Sequence, residues 1–402
     1  MNKKKILVVS QYFYPEQFRI NDICQTWVEK GYEVTVLTGI PNYPQGDFFN
    51  GYSYTKNRHE TYEGIDIIRI PIIPRKRSSL MLGLNYLSYV ISGEIWQFFN
   101  KKEFDYVFIY EVSPITQAIP AISIAKKLKI PCYIYVMDLW PENFQIITGI
   151  NNAFIVGTID KMVDYIYKNC TKIFTASKSF KKNIEERGVD SNKIFFWPQY
   201  AEDFYRPVQE KNPKIKQDDT INLTFAGNIG KAQGLEILPI IAEKVKSEHL
   251  NIRFNIVGDG SYKNTLLTEI QEKNVEELFH FIAPVPPEEI PSILNASDFS
   301  LITLKQDKIL SMTIPAKLQS SMASGAAIFL IANGEAQDIV KQSKAGFYND
   351  AEDIDGIMEN LRAIIKQDHR YINQMKQNAR KFYEENFDKK YLMNKMDDFL
   401  TH

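Results

Sequence analysis

The residues best placed to do chemistry lie in LTFAGNIGKAQGLE, 223–236, where an apolar run ends in a glycine-rich turn and a helical pattern begins. Gly227 and Gly230 let the chain turn sharply, and Gly234 permits close approach ahead of the helical spacing Leu235, Leu238, Ile241, Ala242. A strand-to-helix turn of this kind presents unpaired backbone N–H groups at the positive end of a helix, which suits a phosphate. Lys231 adds a full charge. An ordinary turn uses the same residues, so the loop alone leaves both readings open. Two further polar sequences directly follow apolar runs: Glu111-Val112-Ser113-Pro114 and Asp138-Leu139-Trp140-Pro141-Glu142. Their position makes them candidates for the floor of a cleft, although Ser113 and Asp138 could equally cap the next helices.

The elements that must hold these residues form a β/α series. KILVVS (5–10) reads as a buried strand, followed by the loop 11–21, a helical pattern through Ile20, Ile23, Cys24, Trp27 and Val28, a stop at Gly31 and a strand at 33–39. This β-α-β opening implies a parallel sheet with right-handed crossovers and ligands at the carboxyl ends of its strands. The loop 11–21 and the segment 41–52 follow such ends, and long aromatic and polar loops there favour function. Further strands are expected at 65–70, 105–110, 132–137, 172–176 and 194–197. The proline- and charge-rich segment 198–220 reads as an interdomain linker. A second series then runs through strands at 221–227, 252–261, 278–285, 298–304, 325–331 and 345–350, and the chain from Asp368 to Leu400 is helical. The fold class is therefore α/β, with two such domains facing across a cleft.

Composition excludes several classes of protein. A chain of 402 residues fits two domains of about 200 residues each. Its net charge of −1 offers no bulk attraction for nucleic acid. Cys24, Cys132 and Cys170 are scattered and odd in number, as in a reduced cytosolic protein, and the five histidines lack metal-ligand spacing. The start, MNKKKILVVSQ, reads as a first strand rather than a leader, and no run is apolar for the 18 or so residues needed to span a bilayer. The segment from Arg75, Lys76 and Arg77 through 78–99, with Trp96 near its end, could lie on a membrane surface, or form a core helix behind a solvated basic turn.

Taken together, the motifs resemble glycosyltransferase family 4, which has the two-domain GT-B fold. The resemblance covers the whole chain. Its carriers are the glycine loop, the VGDG turn at 257–260 and the linker ending in Phe204-Tyr205-Arg206-Pro207. Seven segments in order, SQYFYPEQFRINDI, TGIPNYPQGDFFNGY, YEVSPIT, DLWPE, GNIGKAQGLE, MTIPAKLQSSMASG and NGEAQDI, are similar to a bacterial branch that builds O-antigen, colanic acid and capsule and includes N-acetyl-L-fucosamine transferases. The resemblance implies a hexosyltransferase that needs no metal or other cofactor. It would move a sugar from a UDP-sugar to an undecaprenyl-diphosphate-linked acceptor at the cytoplasmic face of the membrane. Domain 1–200, completed by the helix 388–402, would bind acceptor through Tyr12, Arg19, Asn21, Asn42 and Tyr43; domain 201–387 would bind donor. The donor contacts implied are Gly227, Asn228, Gly230, Lys231, Gly258, Asp259, Pro315, Lys317, Ser320 and Glu335, with Arg75, Lys76, Arg77 and Trp96 on the membrane.

One departure stands out. The family's pair of glutamates eight positions apart is missing; the second falls on Ser320 and the first near Met312. The retaining outcome implied by the family is thereby put in question. An inverting enzyme would need a carboxylate base within hydrogen-bond range, for which Asp138, Glu111 and Glu16 are the candidates, Asp138 first. The DxD triplet Asp353-Ile354-Asp355 reads as a helix cap. The rival readings are a nucleotide-sugar epimerase of similar architecture and a catalytically silent GT-B binding protein.

Overall fold

The computed structural model describes residues 3–76 and 78–401, with the side chains of Ile147 and Thr401 left aside; Arg77 lies outside the described residues. The chain divides into two compact units, Met1–Trp197 with Lys395–His402, and Pro198–Asn394.

In the first unit, strands β1 (Lys5–Val9), β2 (Glu33–Gly39), β3 (His59–Tyr62), β4 (Ile65–Ile70), β5 (Tyr106–Glu111), β6 (Cys132–Val136), β7 (Lys172–Thr175) and β8 (Ile194–Phe196) form one sheet in the order β3-β4-β2-β1-β5-β6-β7-β8. Helices α1 (Arg19–Glu29), α2 (Ser79–Phe99), α3 (Ala118–Leu128), α4 (Glu142–Thr148), α5 (Ala153–Asn169) and α6 (Lys178–Glu186) connect them. The central strands read as unbroken apolar runs because helices cover both faces, and Ile6–Val9 and Val107–Ile109 are fully buried. Trp27 of α1 packs edge-on to Phe108 of β5 at 5.0 Å. Among the described residues only β3 pairs antiparallel, and the sequence pattern does not show it: its four residues HETY are half exposed and carry no apolar run. Its register is locked by the buried Arg69, which donates to Glu60 at 2.5 Å and to the Tyr14 carbonyl at 2.7 Å. The chain enters the sheet at β1, builds toward β4 and returns to β5, so the order reverses between β1 and β5. A ligand crevice belongs at such a reversal.

Helix α2 is inverted. Its inward face carries Asn85, Tyr89, Gly93 and Gln97, four residues apart, and all are buried. Its outward face carries Leu80, Leu84, Leu87, Ile91, Ile95 and Phe98, with Leu80 74% and Phe98 75% exposed. Asn85 is held inside by donating to the Ile73 carbonyl and accepting from Gln11 Nε2. Among the described residues no helix is long and apolar enough to cross a membrane.

The second unit holds β9 (Ile221–Ala226), β10 (Ile252–Val257), β11 (Phe279–Ile282), β12 (Phe299–Thr303), β13 (Ile328–Ile331) and β14 (Gly346–Asn349), an all-parallel sheet in the order β11-β10-β9-β12-β13-β14. Its helices are α7 (Ile237–Ser247), α8 (Lys263–Glu272), α9 (Ile290–Ala296), α10 (Lys308–Ser311), α11 (Ala316–Ala323), α12 (Glu335–Ser343), α13 (Ile354–Ile365) and α14 (His369–Asn386), and α15 (Lys389–Thr401) begins in it and ends in the first unit. Here the reversal lies between β9 and β12, so the glycine loop leaves the sheet where a ligand crevice is expected. The expected linker 198–220 is not free chain. Asn212 donates to the Ser292 carbonyl, and Ile215 is buried among Val257, Ile282, Ile293 and Ala296. From Lys395 on the chain rejoins the first unit, where Phe399 packs on Phe174 and Phe195 at 5.2 and 4.7 Å.

Candidate active site

In the second unit the loop after β9 is zipped to the loop after β10. The Gly227 N–H donates to the Val257 carbonyl at 2.9 Å and the Ile229 N–H to the Asp259 carbonyl at 2.8 Å. The approach is so close that a Cβ on Gly258, whose φ is +132°, would stand 2.1 Å from the Gly227 carbonyl oxygen. The far side of the loop is fixed by Lys305, whose N–H donates to the Ala232 carbonyl, and by Thr303 Oγ1, which donates to the Gln233 carbonyl. Asn228 and Lys231 are exposed, and Lys231 opens the short helical turn 231–233. Asp259 accepts from the Gly260 N–H and stands 3.7 Å from Lys263.

Lys317 lies across this loop. Its Cε would meet a Cβ on Gly227 at 2.6 Å, its Nζ stands 3.7 Å from the centroid of the Phe225 ring, and it donates to Gln233 Oε1 at 2.5 Å. Burial pushes the amine down to about 7, because no described carboxylate repays the lost hydration. Pro315 precedes α11, and Ser320 spends its hydroxyl on the Lys317 carbonyl. Glu335 is buried in the first turn of α12, behind Gly334, where a Cβ would meet the Ser311 carbonyl at 2.1 Å. The donor residues read from the sequence thus gather along the carboxyl edge of β9, β10, β12 and β13. The Gln233–Lys317 and Thr303–loop bonds were not foreseen; Gln233 inside a glycine loop was the available signal. Asp353 caps α13 by accepting from the Gly356 N–H, as its place at a helix start suggested.

In the first unit Asp138 follows β6, half-buried. Its Oδ2 accepts from both the N–H and the hydroxyl of Ser113, at 2.7 and 2.8 Å, leaving Oδ1 without a protein partner among the described residues. Ser113 Oγ also accepts from Trp140 Nε1 and Asn143 Nδ2, both at 3.2 Å. The result is a carboxylate whose plane is set and whose second oxygen is open, the arrangement a base or a hydroxyl acceptor needs.

The other two carboxylate candidates are corrected. Glu111 is fully buried beneath Asp138, with Oε2 3.4 Å from the Asp138 N–H, and burial followed by the adjacent Asp138 charge pushes its carboxyl well up. It has no path to an acceptor. Glu16 is also buried: it accepts from the backbone N–H groups of Tyr43, Asn42 and Phe13 at 2.7, 2.8 and 3.2 Å, clamping one loop to the other. Burial raises it to about 7 against those bonds.

The expected acceptor contacts divide in the same way. Tyr12 and Asn42 are interior, Asn21 spends its amide on the Glu16 carbonyl, and Tyr43 is exposed and packs tilted against Tyr12 and Phe18, each at 5.4 Å. Arg19, at the start of α1, acts electrostatically on Tyr110 and Tyr135. Arg75 is a second correction. It does not point outward to a membrane; its guanidinium lies 5.0 Å over the Tyr43 ring and 3.4 Å from the Tyr12 hydroxyl, held there by its own N–H to Asn42 Oδ1. Lys76 is exposed and paired with Asp47, and Trp96 is half-buried on α2.

Comparison with known proteins fits this geometry. Residues 207–382 match the family described as glycosyl transferases group 1. The chain is 24% identical over 338 residues, 80% of its own length and 81% of the relative's, to a protein of Escherichia coli K12 described as a putative colanic acid biosynthesis glycosyl transferase, WcaI. It is 23% identical over 203 residues to the probable glycosyltransferase WbjE of Pseudomonas aeruginosa, covering 49% of this chain and 50% of that one. Among solved structures, a sucrose-phosphate synthase of Thermosynechococcus elongatus superposes with a TM-score of 0.74 at 12% identity, over 99% of this chain and 98% of that one. HepE of Anabaena, in complex with UDP and glucose, superposes with a TM-score of 0.69 at 12% identity, over 99% of each chain. The protein carries a glycosyl transferases group 1 domain on a GT-B fold, and the resemblance read from its sequence holds at that level.

Proposed function

We propose that the protein is a bacterial surface-polysaccharide glycosyltransferase that takes a sugar from a UDP-sugar and adds it to a lipid-linked glycan. The observation that carries this reading is Lys317, an amine with no carboxylate partner among the described residues, laid across the glycine loop after β9. A diphosphate against that loop would meet free backbone N–H groups and one cation that gains a proton as the anion arrives. When the bond from the anomeric carbon to the phosphate breaks, the negative charge appears on UDP beside Lys317. Asp138 Oδ1, in the first unit, takes the proton of the acceptor hydroxyl as the new glycosidic bond forms. This assigns Lys317 and the loop to donor binding, Asp138 to the acceptor, and no step to a metal.

The similarity to WcaI and WbjE supports a surface polysaccharide as the product, and the motifs favour N-acetyl-L-fucosamine or a related N-acetylamino sugar as the donor group. The outward apolar face of α2 supports peripheral contact with the cytoplasmic face of the membrane. A panel of UDP-, GDP- and dTDP-sugars offered with an undecaprenyl-diphosphate-linked sugar, read by mass and anomeric NMR, tests the whole reading. Transfer from a UDP-sugar is the expected result. Interconversion of a UDP-sugar without acceptor would replace the transferase by an epimerase, and absence of either reaction would leave a binding protein.

A further inference from the structure

A cavity of about 360 Å³ opens in the first unit between α2, α4 and α5, within the size range of small-ligand sites. Its walls include Leu82, Tyr86, Val90, Trp140, Phe144 and Met162, and none of its lining residues is charged. Two wall residues are two-faced. Trp140 turns its ring to the cavity and its N–H to Ser113, the residue that orients Asp138. Tyr86 lines the cavity while its hydroxyl lies within the electrostatic reach of Arg75 and Asp138; burial pushes the phenol up to about 12 and Arg75 pulls it back. Arg75 has aromatic and hydroxyl neighbours but no carboxylate partner among the described residues. On its other side the cavity continues into the outward face of α2, with Leu87 belonging to both. The only charge on that helix, Glu94, is turned to Ser123 and Gln97.

An apolar cavity, a cation with no described carboxylate partner that acts on the hydroxyl of the wall residue Tyr86, and an apolar track leading away form the complement of an amphiphile with an anionic head. Resting on the lipid-linked acceptor proposed above, we infer that the cavity takes the head-proximal stretch of the acceptor's hydrocarbon chain, with its diphosphate beside Arg75 and the remaining chain along α2. Fixing the chain next to the head would hold the acceptor hydroxyl at a set distance from Asp138, whatever sugar the head carries. A second copy of the protein fits the face less well, because Arg75 would then be covered without an anion to meet it.

The test uses the full chain and farnesyl diphosphate, followed by tryptophan fluorescence, with farnesol and inorganic diphosphate as its two halves. The expected result is affinity for farnesyl diphosphate at least tenfold above either half. Gly83 lines the cavity, and a Cβ placed on it meets nothing within 4 Å, so Gly83→Phe adds bulk at the cavity wall without a clash at its Cβ. Gly83→Phe should weaken farnesyl diphosphate at least tenfold with an unchanged melting temperature, and Val90→Trp should repeat the effect from about two turns further along the helix. Arg75→Gln should weaken farnesyl diphosphate and leave farnesol as it was. Undiminished binding in both filled variants would overturn the inference. So would a dimer in light scattering that Leu87→Glu dissociates while farnesyl diphosphate goes unbound. UDP titrated into the same samples separates this inference from the reading it rests on: UDP bound and farnesyl diphosphate ignored sinks the cavity alone. The reverse sinks the transferase and leaves the cavity.

Discussion

Lys317 is a cation kept where cations are poorly tolerated, and its chemistry follows from that. With its amine near 7, it is mostly neutral at pH 8 and charged at pH 6. A bound diphosphate raises the amine's affinity for its proton, so UDP binding should take up close to one proton at pH 8 and almost none at pH 6. Calorimetry in buffers of different ionisation enthalpy measures this directly; equal uptake at both values would remove Lys317 from the diphosphate. Replacing it by methionine keeps the fill over Phe225 and should weaken UDP by about 10²-fold, the scale of one lost charge-stabilising group. Asp138→Asn preserves an oxygen to accept from Ser113, so the loop should hold its shape. Turnover should drop by roughly 10²–10⁴-fold with UDP affinity unchanged, and a variant that loses UDP affinity instead would contradict the base role. The sequence names three carboxylates here but cannot rank them by depth. Glu16, Glu111 and Asp138 look alike beside strand ends; only three-dimensional packing shows that the first two are sealed and the third has an open oxygen. Lys231, conspicuous in the motif, proves exposed, while Lys317, some ninety residues on, is the amine pressed against the loop.

Between elements, the decisive contacts are backbone to backbone. The β9 and β10 loops touch at Gly227 and Gly258, so Gly258→Ala should force them apart and cost the second unit several kcal/mol, roughly 2–4, as overpacking and a strained φ combine. A calorimetric scan should show it as a lowered transition; an unchanged scan would mean that the two loops can separate freely. This zipper was legible in part, because both glycine-rich stretches sat after strand-like runs. Their mutual contact was not, since nothing in one loop's residues names its neighbour. Strand β3 was missed for a different reason. It is tied down by Arg69 and Glu60 across the strand pair and by Tyr62 stacked on Tyr14 rather than by an apolar run of its own. Helix α2 was read correctly as apolar and basic-flanked, yet its inversion was invisible, because a pattern of polar and apolar residues does not say which side faces in.

At the scale of the whole molecule, the outward apolar stripe of α2 is a run of exposed large apolar side chains on one helix. Leu84→Glu combined with Ile91→Glu places two charges on the outward stripe of α2, at side chains 36% and 50% exposed. The wild type should sediment with vesicles containing anionic lipid and the double variant should stay in the supernatant, with UDP affinity equal in both. Sedimentation of both would place the membrane contact elsewhere. The division into two α/β units was readable from two runs of strand and helix patterns. The fate of the segment between them was not, because its prolines and charges suggest exposure while Asn212 and Ile215 are taken up by the second unit. The chain's return to the first unit at Lys395 carries a consequence for its synthesis. Phe399, which packs on Phe174 and Phe195, emerges from the ribosome some 200 residues after them, on the order of 10–40 s later at ordinary elongation rates. The first unit is therefore completed only after the second has been translated, and a nascent chain must carry that sheet with one edge of its core uncovered until α15 arrives.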